Sequence, residues 1–431
     1  MIIFIGTKSK TMKSEIKQEQ DGSYTVSVNL KLEGSMLEME EHIQEMVNEL
    51  GLKATLEALR KFDADGTPIQ LKGKTLTSKG SQKKKIHTPY GQGQIERHVY
   101  QSAQGGSTYV PLEKGGRIIG KATPRFAKML SWKYANMAGE QSCEDLLQHH
   151  GVKVSKKLIQ TVNERVGAIL TEKEQKWTYE IPVLADEVRA IGISRDGTTS
   201  PIKGEGYKET MTGTISLYDQ AGERLHTIYT GCSPEHGKAT FDYVFGQEIE
   251  RIQSKYPEVR YVGVADGEKG NWSFLTPYTD VQIIDFWHAT EYLAGYAKSA
   301  YEDQSERDRW LTESRSKLKN KKGSATKLLK EMRKYARDHF IDEKEHPVIR
   351  AVTYFTNHKS KMNYWQYQRD KLPIGSGVVE SACKTLVKQR FSRSGSRWIR
   401  DTLDNILLAR SLILTNGRWA QFWNKLDRYG F

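Results

Sequence analysis

The stretch VRYVGVADGEKGNW (residues 259–272) predicts a short apolar strand that ends at a carboxylate, Asp266, which a glycine follows. The stretch VRAIGISRDGTT (188–199) has the same design, with Asp196 followed by Gly197. A carboxylate at the carboxyl end of a central strand lies where an open α/β sheet exposes its functional groups. The Asp-Gly dipeptide is also common turn chemistry, which explains either acid taken alone. Because two strands share the design, we expect Asp196 and Asp266 at the ends of two strands of one sheet.

The segments around these strands predict a mixed sheet flanked by helices. KETMTGTISLYD (208–219) and ERLHTIYTGCS (223–233) alternate at period two, with DQAG (219–222) as the hairpin turn between them. HGKATFDYVFGQEIERIQSKYP (236–257) predicts an amphipathic helix, and VQIIDFWHATEYL (281–293) predicts a strand that runs into a helix. Strands interspersed with helices in this order are typical of an α/β domain.

The N-terminal region predicts a small separate unit. SYTVSVNLKLEG (23–34) has the period of a strand, and MLEMEEHIQEMVNEL (36–50) has the period of a helix. The lysine-rich stretch LKGKTLTSKGSQKKK (71–85) predicts a linker or exposed arm. It is either a solvated tether or a contact with a DNA backbone.

Two helices joined by a glycine-containing turn follow this unit. Thr123 and Pro124 predict the start of one helix, Gly151 the end of the next, and Ser155 the cap of a third that carries Lys156 and Lys157. The pattern is typical of a helix-turn-helix, whose second helix reads DNA, and equally of a plain helical hairpin.

The formal net charge is +13, which favours a polyanionic partner, most simply nucleic acid. Composition alone leaves an anionic membrane surface open, although no apolar run reaches the roughly 18 residues of a membrane helix. The three cysteines, Cys143, Cys232 and Cys383, form no CxxC pair. We therefore expect neither a disulfide framework nor a structural zinc site, and we expect a reducing cytoplasm.

The region from Tyr292 to about Leu372 predicts helices almost throughout. Within it, Ser314 to Arg337 holds ten Lys or Arg and one acid, Glu331. A run of charge is usually a solvated face, but this imbalance in a basic protein favours contact with phosphate.

The segment LPIGSGVVESACKTLVKQRF (372–391) combines a glycine loop with a basic helix that carries one acid, Glu380. The loop lacks the GxxxxGK[ST] and GxGxxG patterns of nucleotide sites, so nucleotide hydrolysis is not expected. Lys384 and Lys388 lie one and about two turns after Glu380, on roughly the same face of an α-helix. They either form salt bridges and meet solvent or hold a DNA backbone.

Asp196, Asp266 and Glu380 would repel one another at close range without a cation between them. Oxygen ligands suit Mg²⁺ or Mn²⁺, and two such ions clamp the attacking and leaving oxygens of a phosphodiester substitution. The residues therefore favour metal-assisted phosphoryl transfer.

The chain resembles the ISKra-four family of bacterial insertion-sequence transposases, which are DDE transposases with an RNase H-like core related to Mutator-like transposases. Five sequence motifs carry the resemblance: RDGTT (195–199), VADGEKGNW (264–272), IIDFWHATEYL (283–293), PIGSGVVESACKTLVKQR (373–390) and SGSRW (394–398). It covers roughly Tyr109 to Trp423 and is most specific in PIGSGVVESACK.

The resemblance implies an α/β fold, in which an RNase H-like mixed sheet flanked by helices is interrupted by an all-helical insertion domain and preceded by a helix-turn-helix-like DNA-binding region. The expected domains are an N-terminal α+β unit with a basic linker (1–85), the DNA-binding region (86–178), the first part of the core (179–290), the insertion domain (291–371) and the C-terminal helices of the core (372–431).

The resemblance also implies that Asp196, Asp266 and Glu380 are the catalytic residues and bind two Mg²⁺ or Mn²⁺ ions. Asp285 and His288 match an Asp-x-x-His spacing that supports the site in Mutator-like relatives, while a core histidine explains His288 equally well. The expected DNA contacts are Lys156, Lys157, Lys384, Lys388, Arg390, Arg393, Arg397 and Trp398.

The implied function is binding of the terminal inverted repeats of an insertion sequence, with cleavage and strand transfer into target DNA. By analogy we expect a homodimer or larger oligomer, at the bacterial nucleoid in the cytoplasm and not at a membrane. Two alternatives stay open: a DNA-binding protein without catalysis, and an RNase H-like nuclease that cuts without joining.

Overall fold

The computed structural model of the chain describes residues 13–174, 176–235 and 238–431. Two compact units divide the chain. The first contains the residues up to Trp177 together with Gln421–Phe431, and the second contains Thr178–Ala420.

The first unit begins with an antiparallel ribbon of β1 (Lys13–Gln18) and β2 (Tyr24–Asn29), followed by helix α1 (Met36–Arg60). A capping box starts α1: the Ser35 hydroxyl accepts from the Glu38 amide at 3.3 Å, and the Glu38 carboxylate accepts from the Ser35 amide at 2.7 Å.

A four-stranded antiparallel sheet comes next, in the order β3-β4-β5-β6. Its strands are β3 (Ile69–Leu71), β4 (Lys74–Thr88), β5 (Gly91–Ser102) and β6 (Gly105–Tyr109). The linker prediction for residues 71–85 is wrong, because most of that stretch is strand β4, which continues past residue 85. Its lysines obscured the alternation, although Lys84 turns inward to bind Glu113 at 2.5 Å.

Four helices complete this part of the first unit: α2 (Pro111–Gly115), α3 (Pro124–Asn136), α4 (Gly139–His150) and α5 (Lys156–Glu174). As predicted, α4 ends at Gly151, whose φ is +62°, and the Ser155 hydroxyl accepts from the Leu158 amide at 3.2 Å. Thr123 precedes α3 as expected, but its buried hydroxyl has no hydrogen-bond partner, so the predicted side-chain cap is wrong.

The second unit is built on a five-stranded mixed sheet in the order β11-β10-β7-β8-β9. Its strands are β7 (Ala190–Ile202), β8 (Gly206–Tyr218), β9 (Arg224–Cys232), β10 (Arg260–Ala265) and β11 (Val281–Ile284). β7, β8 and β9 pair antiparallel, whereas β10 runs parallel to both β7 and β11. The prediction of an α/β fold with a mixed sheet is confirmed.

Helices α6 (Ala239–Lys255), α7 (Lys269–Leu275) and α8 (Phe286–Ala300) alternate with the later strands, and a 3₁₀ turn (Thr276–Tyr278) follows α7. Their apolar faces form one core with the sheet, in which Ile191, Phe245 and Val262 are fully buried.

The chain then continues as helices and short turns: α9 (Gln304–Asn320), α10 (Ser324–Asp338), α11 (Pro347–His358), a 3₁₀ turn (Lys359–Lys361) and α12 (Tyr364–Arg369). After the loop at residues 370–376 come α13 (Gly377–Ala382), a π-helix (Cys383–Lys388), α14 (Gln389–Phe391), α15 (Arg400–Leu414) and α16 (Arg418–Tyr429). Within the described ranges, no helix has the length and apolar character needed to cross a membrane.

Candidate metal centre

Asp196 and Asp266 lie on neighbouring parallel strands at the same level of the sheet. The last pair of the β7–β10 ladder joins Ile193 to Gly263, and each aspartate comes three residues after the member of that pair on its own chain segment. Asp266 comes directly after β10, as predicted. Asp196 does not end its strand, because β7 continues to Ile202 in a long hairpin with β8.

Three groups of the following turn hold Asp266 in place. Its Oδ1 accepts from the Glu268 amide at 2.9 Å and from Asn271 Nδ2 at 3.1 Å. The indole of Trp272 donates to the Asp266 carbonyl at 2.9 Å. Glu268, Asn271 and Trp272, all within the motif VADGEKGNW, therefore fix the orientation of its aspartate.

Arg195 extends this arrangement into the core. It is only 4% exposed, its Nε donates to Asn271 Oδ1 at 3.0 Å, and one NH group pairs with Asp242 at 2.5 Å. Its guanidinium also lies 4.7 Å from the ring centroid of Phe274. Because Asn271 accepts from Arg195 and donates to Asp266, its amide orientation is fixed from both sides.

The sequence analysis assigned no role to Arg195 or Asn271. Both lie inside the motifs that carry the family resemblance. Arg195 directly precedes Asp196, and Asn271 comes five residues after Asp266. The available signal was an arginine at the end of an apolar strand, directly before the aspartate, since arginine in a buried strand needs a partner.

Gly267 is needed for packing against the helical region. A side chain there would place its Cβ 2.5 Å from the ring of Tyr354, and the backbone φ is not positive. The Asp-Gly turn interpretation also holds for this pair, because Asp266 Oδ1 accepts from the Glu268 amide two residues on, and the glycine leaves room for an aromatic ring beside Asp266.

Asp196 is in an electrostatically unfavourable position for a carboxylate. Burial raises the pKa of Asp196, and the charges of Asp266 and Glu380 raise it further. Hydrogen bonds from the Gly197 amide and from the Cys383 thiol lower it in part. The Cys383 thiol lies 3.6 Å from Asp196 Oδ2, and burial together with that carboxylate raises the pKa of Cys383 to about 12. The thiol is therefore protonated at neutral pH and acts as a hydrogen-bond donor.

Glu380 reaches this edge from α13, which packs against β7 and β8. The continuation of its helix lies close to β9, because a side chain at Gly231 would place its Cβ 2.9 Å from Leu386. Glu380 itself is exposed, in contrast to Asp196. Cys383, three residues after Glu380, lies 3.6 Å from Asp196 Oδ2, so this helical segment approaches the sheet at Asp196.

Asp285 ties the loop before α13 to the start of α8. It is fully buried; Oδ1 accepts from the His288 amide at 2.7 Å, while Oδ2 accepts from the amide and the hydroxyl of Ser376. The Phe286 amide also donates to the Ile374 carbonyl at 2.9 Å. Asp285 therefore anchors the glycine loop from which the helix of Glu380 begins.

The Ser376 hydroxyl lies between two acids. Its oxygen is 2.9 Å from Asp285 Oδ2 and 2.6 Å from Glu380 Oε1. A hydroxyl carries one hydrogen, so it cannot donate to both carboxylates at once. When both acids are ionised, one of the two contacts brings lone pairs together, and a nearby cation would relieve this repulsion.

One group of side chains in the described part of the chain meets the geometry of a metal site: Asp285, His288 and Glu380 offer ligand atoms that all lie within 4.8 Å of one another. Asp285 and His288, expected only to support the triad, thus lie with Glu380 in this group. Asp196 and Asp266 lie outside it. Sequence reasoning found all five residues but did not find how they divide.

The acids of this centre fit a bound cation. Among the residues that the structure describes, no Lys or Arg forms an ion pair with Asp196, Asp266, Asp285 or Glu380. The buried Tyr354 hydroxyl, whose pKa is raised by burial and by the nearby charges of Asp266 and Asp285, has no hydrogen-bond partner. Carboxylates with one imidazole suit a divalent cation.

The structure separates the expected DNA-contacting residues into two kinds. Lys156, Lys157, Lys384, Lys388 and Arg397 are exposed, and Arg393 is partly exposed. Lys156 pairs with Glu140 at 2.7 Å. The segment from Cys383 to Lys388 is a π-helix, so the α-helical spacing predicted between Glu380 and Lys388 does not hold, although both lysines reach solvent.

Arg390 and Trp398 have structural contacts instead. Arg390 is 3% exposed and stacks on the Trp398 ring at 4.7 Å, so its guanidinium is not accessible to a DNA backbone in this structure. Trp398 donates from its indole to the Phe391 carbonyl at 3.0 Å, and its backbone amide bonds to Pro201 of β7 at 3.0 Å. Both residues hold the chain after α14 against the sheet.

No protein-family model matches this chain, and no curated protein matches it.

Proposed function

We propose that this chain is a DDE transposase of the ISKra-four type, which binds the ends of an insertion sequence and carries out metal-dependent cleavage and strand transfer. The observation that carries the proposal is the group of acids at one edge of the sheet. Asp196, whose pKa the charges of Asp266 and Glu380 raise, lies near them without a Lys or Arg ion pair in the described part of the chain. A net charge of +13 complements a polyanionic substrate.

The sheet supports the finer assignment to an RNase H-like core. Three antiparallel strands come first in the chain, and the parallel strand β10 adds beside β7, so that the two aspartates become neighbours. The helices between residues 304 and 369 support the proposal of an insertion domain before Glu380.

Two divalent ions bound here would lower the pKa of an attacking water or 3′-hydroxyl and stabilise the leaving oxyanion. Asp196, Asp266 and Glu380 would hold the ions, and Asp285 and His288 lie where they offer further ligands to the ion beside Glu380. Asn271 orients Asp266, the Cys383 thiol donates to Asp196, and Ser376 positions Glu380. Mg²⁺ takes oxygen ligands, whereas Mn²⁺ tolerates the imidazole of His288 better.

The test is strand cleavage of a supercoiled plasmid that carries the coding sequence with its genomic flanks. Wild type is compared with Asp196→Asn, Asp266→Asn and Glu380→Gln, in Mg²⁺, in Mn²⁺ and in EDTA. Glu343→Gln is the matched control, because Glu343 is an exposed acid outside the centre. We expect metal-dependent nicking and joined products from wild type and the control, and neither from the three variants.

The outcomes separate the alternatives. Equal cleavage by all five proteins contradicts the catalytic assignment. Binding of the plasmid without cleavage indicates a DNA-binding protein, and cleavage without joined products indicates a nuclease.

A further inference from the structure

We propose that the exposed face of α10 is a docking surface for the backbone of double-stranded DNA. This inference rests on the proposed function, because it concerns how the same polyanionic substrate is held. It concerns residues outside the metal centre, and it narrows the phosphate contact expected of the basic segment from Ser314 to Arg337 to one face of one helix.

One side of α10 is basic along its whole length. Lys327, Lys330, Lys334 and Arg337 are all exposed and follow one another at intervals of three, four and three residues. Residues at these intervals lie along one face of an α-helix. We call these four residues the α10 stripe.

The opposite side of α10 fixes the direction of the stripe. Leu328, Leu329 and Met332 are at most 3% exposed and belong to the core of the second unit, and α10 packs against α9 and α11 through this side. The helix therefore cannot rotate to exchange its two faces, and the stripe faces solvent permanently.

Acids compensate little of this charge. Arg337 has a neighbour in Asp338 at 3.7 Å, and the one acid of the basic segment, Glu331, accepts from the indole of Trp310 at 2.7 Å. In the described part of the chain, Lys327, Lys330 and Lys334 have no ion pair. Glu331 and Asp338 are exposed and lie four residues after Lys327 and Lys334, so the face holds two acids beside four cations and keeps an excess of positive charge.

The stripe carries an intrinsic cost. Like charges three and four residues apart repel one another and destabilise a helix. Binding of a polyanion removes that repulsion and releases the counterions of the phosphates. The uncompensated stripe is thus better suited to a phosphate backbone than to water.

The dimensions fit a duplex. The ten-residue span from Lys327 to Arg337 covers about 15 Å at about 1.5 Å a residue. One DNA strand presents a phosphate about every 3.4 Å along the helix axis, so about four phosphates of a strand fall within that length. The stripe is therefore long enough to lie along several base pairs of the backbone.

Exposed lysines 321 and 322 extend the basic surface at the end of α9. Lys321 and Lys322 immediately precede the turn into α10, and Lys322 lies 5.9 Å from the ring of Trp365. The basic surface thus continues past one end of the stripe.

The experiment measures binding of the full chain to a short fluorescent duplex of random sequence, in EDTA, as KCl is raised from about 50 to about 200 mM. The test variant carries Lys327→Gln, Lys330→Gln and Lys334→Gln. The matched control carries Lys255→Gln, Lys298→Gln and Lys344→Gln, which remove the same charge from exposed positions elsewhere in the second unit. Lys255 pairs with Glu180 at 3.7 Å, and Lys344 lies between Glu343 and Glu345.

We expect the test variant to reduce the slope of log affinity against log salt by about 2.7, at about 0.9 for each lost phosphate contact, and the control to change it by less than about 1. The thermal midpoint of the test variant should equal or exceed that of wild type, because like-charge repulsion is removed. The single variant Lys330→Gln should lower the slope by about 0.9 and serves if the triple variant does not fold.

The proposal is overturned if the test and control variants have equal slopes of log affinity against log salt. It is also overturned if the wild-type protein does not bind the duplex. A third outcome also overturns it: the wild-type protein binds vesicles that contain phosphatidylglycerol but not the duplex, and the test variant no longer binds the vesicles. EDTA prevents catalysis, so this result is independent of the cleavage assay. An inactive protein can still pass the test, and an active transposase can fail it.

Discussion

The Cys383 thiol lies 3.6 Å from Asp196 Oδ2 and links the helix that carries Glu380 to the central strand β7. Because burial and the carboxylate raise the pKa of Cys383 to about 12, the sulfur keeps its hydrogen across the physiological range and donates it. This bond lowers the pKa of Asp196, while burial and two neighbouring acids raise it. A thiol that would otherwise be an unremarkable core residue thus tunes a candidate metal ligand.

We therefore expect Cys383→Ala to shift the acidic limb of the pH–rate profile of cleavage to higher pH. Loss of the thiol bond raises the pKa of Asp196 further, so a higher pH is needed before the carboxylate can bind a cation. The rate near neutral pH should fall by about 10- to 100-fold, as for other partners that orient metal ligands. Measuring the cleavage rate as a function of pH at a saturating concentration of metal checks this prediction.

Two variants make that result specific. Cys383→Ser retains a donor and should return the limb toward its wild-type position. Cys232→Ala removes another buried cysteine, on β9, and should leave the limb unchanged. If Cys383→Ala lowers the rate equally at every pH, the thiol acts through packing alone.

The raised pKa of Asp196 also predicts how metal-free stability depends on pH. A carboxyl whose folded pKa lies above its unfolded value of 3.8 contributes stability below that unfolded value, and this contribution is lost as pH rises through the folded pKa. In EDTA, Asp196→Asn should therefore have the higher thermal midpoint at neutral pH, and the difference should vanish toward pH 4. A bound divalent ion favours the carboxylate, so adding Mg²⁺ should stabilise wild type and shrink the gap.

Asp404 supplies the matched control for this measurement. Burial raises its pKa as well, and it accepts from the Ser233 amide at 3.1 Å, but it lies outside the metal centre. Asp404→Asn should also stabilise the protein at neutral pH, and Mg²⁺ should leave that gain unchanged. Equal responses of both variants to Mg²⁺ would contradict ligation by Asp196.

The sequence predicted the strands of the second unit well, because buried strands leave a clear apolar signal. β10 ends directly before Asp266, and β8 and β9 form the antiparallel hairpin predicted from the alternation on either side of residues 219–222. The position of Asp196 inside its strand was not predictable, since it depends on how far the hairpin partner continues beyond the parallel ladder. That length is a tertiary property.

Lysine-rich strand β4 illustrates the opposite failure. Its polar composition predicted a linker, yet Leu76 and Ile86 are buried and the strand pairs with β5 over its length. Likewise, the sequence indicated basic character in Arg390 but not its burial against Trp398. Pairing and stacking partners lie far away in sequence or across a turn, and composition does not reveal them.

Asn271 should be essential for the geometry of Asp266. Asn271→Ala removes the donor to Asp266 and the acceptor for the buried Arg195, so cleavage should fall by about 10- to 100-fold and stability by about 1–3 kcal/mol. Asn271→Asp keeps the acceptor for Arg195 but places a second carboxylate against Asp266. We expect this variant to be stable and to recover activity as Mg²⁺ is raised.

Chemical denaturation and metal titrations of the cleavage rate check these expectations. Gln282→Ala is the control, because this exposed amide donates to Thr276 at 3.0 Å and contacts no acid of the centre. Full activity in both Asn271 variants would remove the residue from the site.

The imidazole of His288 predicts inhibition by zinc. Asp285, His288 and Glu380 form a group of two oxygens and one nitrogen within 4.8 Å, and such a set binds Zn²⁺ more tightly than Mg²⁺. Zn²⁺ added to the Mg²⁺ reaction should therefore reduce cleavage, and His288→Gln should raise the inhibitory zinc concentration by at least about tenfold, the lower end of what a lost metal partner costs. His339→Gln, at an exposed histidine after α10, should leave inhibition unchanged. Zinc binding by metal-free protein, measured by calorimetry, should show the same order. If His288→Gln and wild type are inhibited alike, His288 does not contribute a ligand, and Asp285 and Glu380 are left as the ligands of that group.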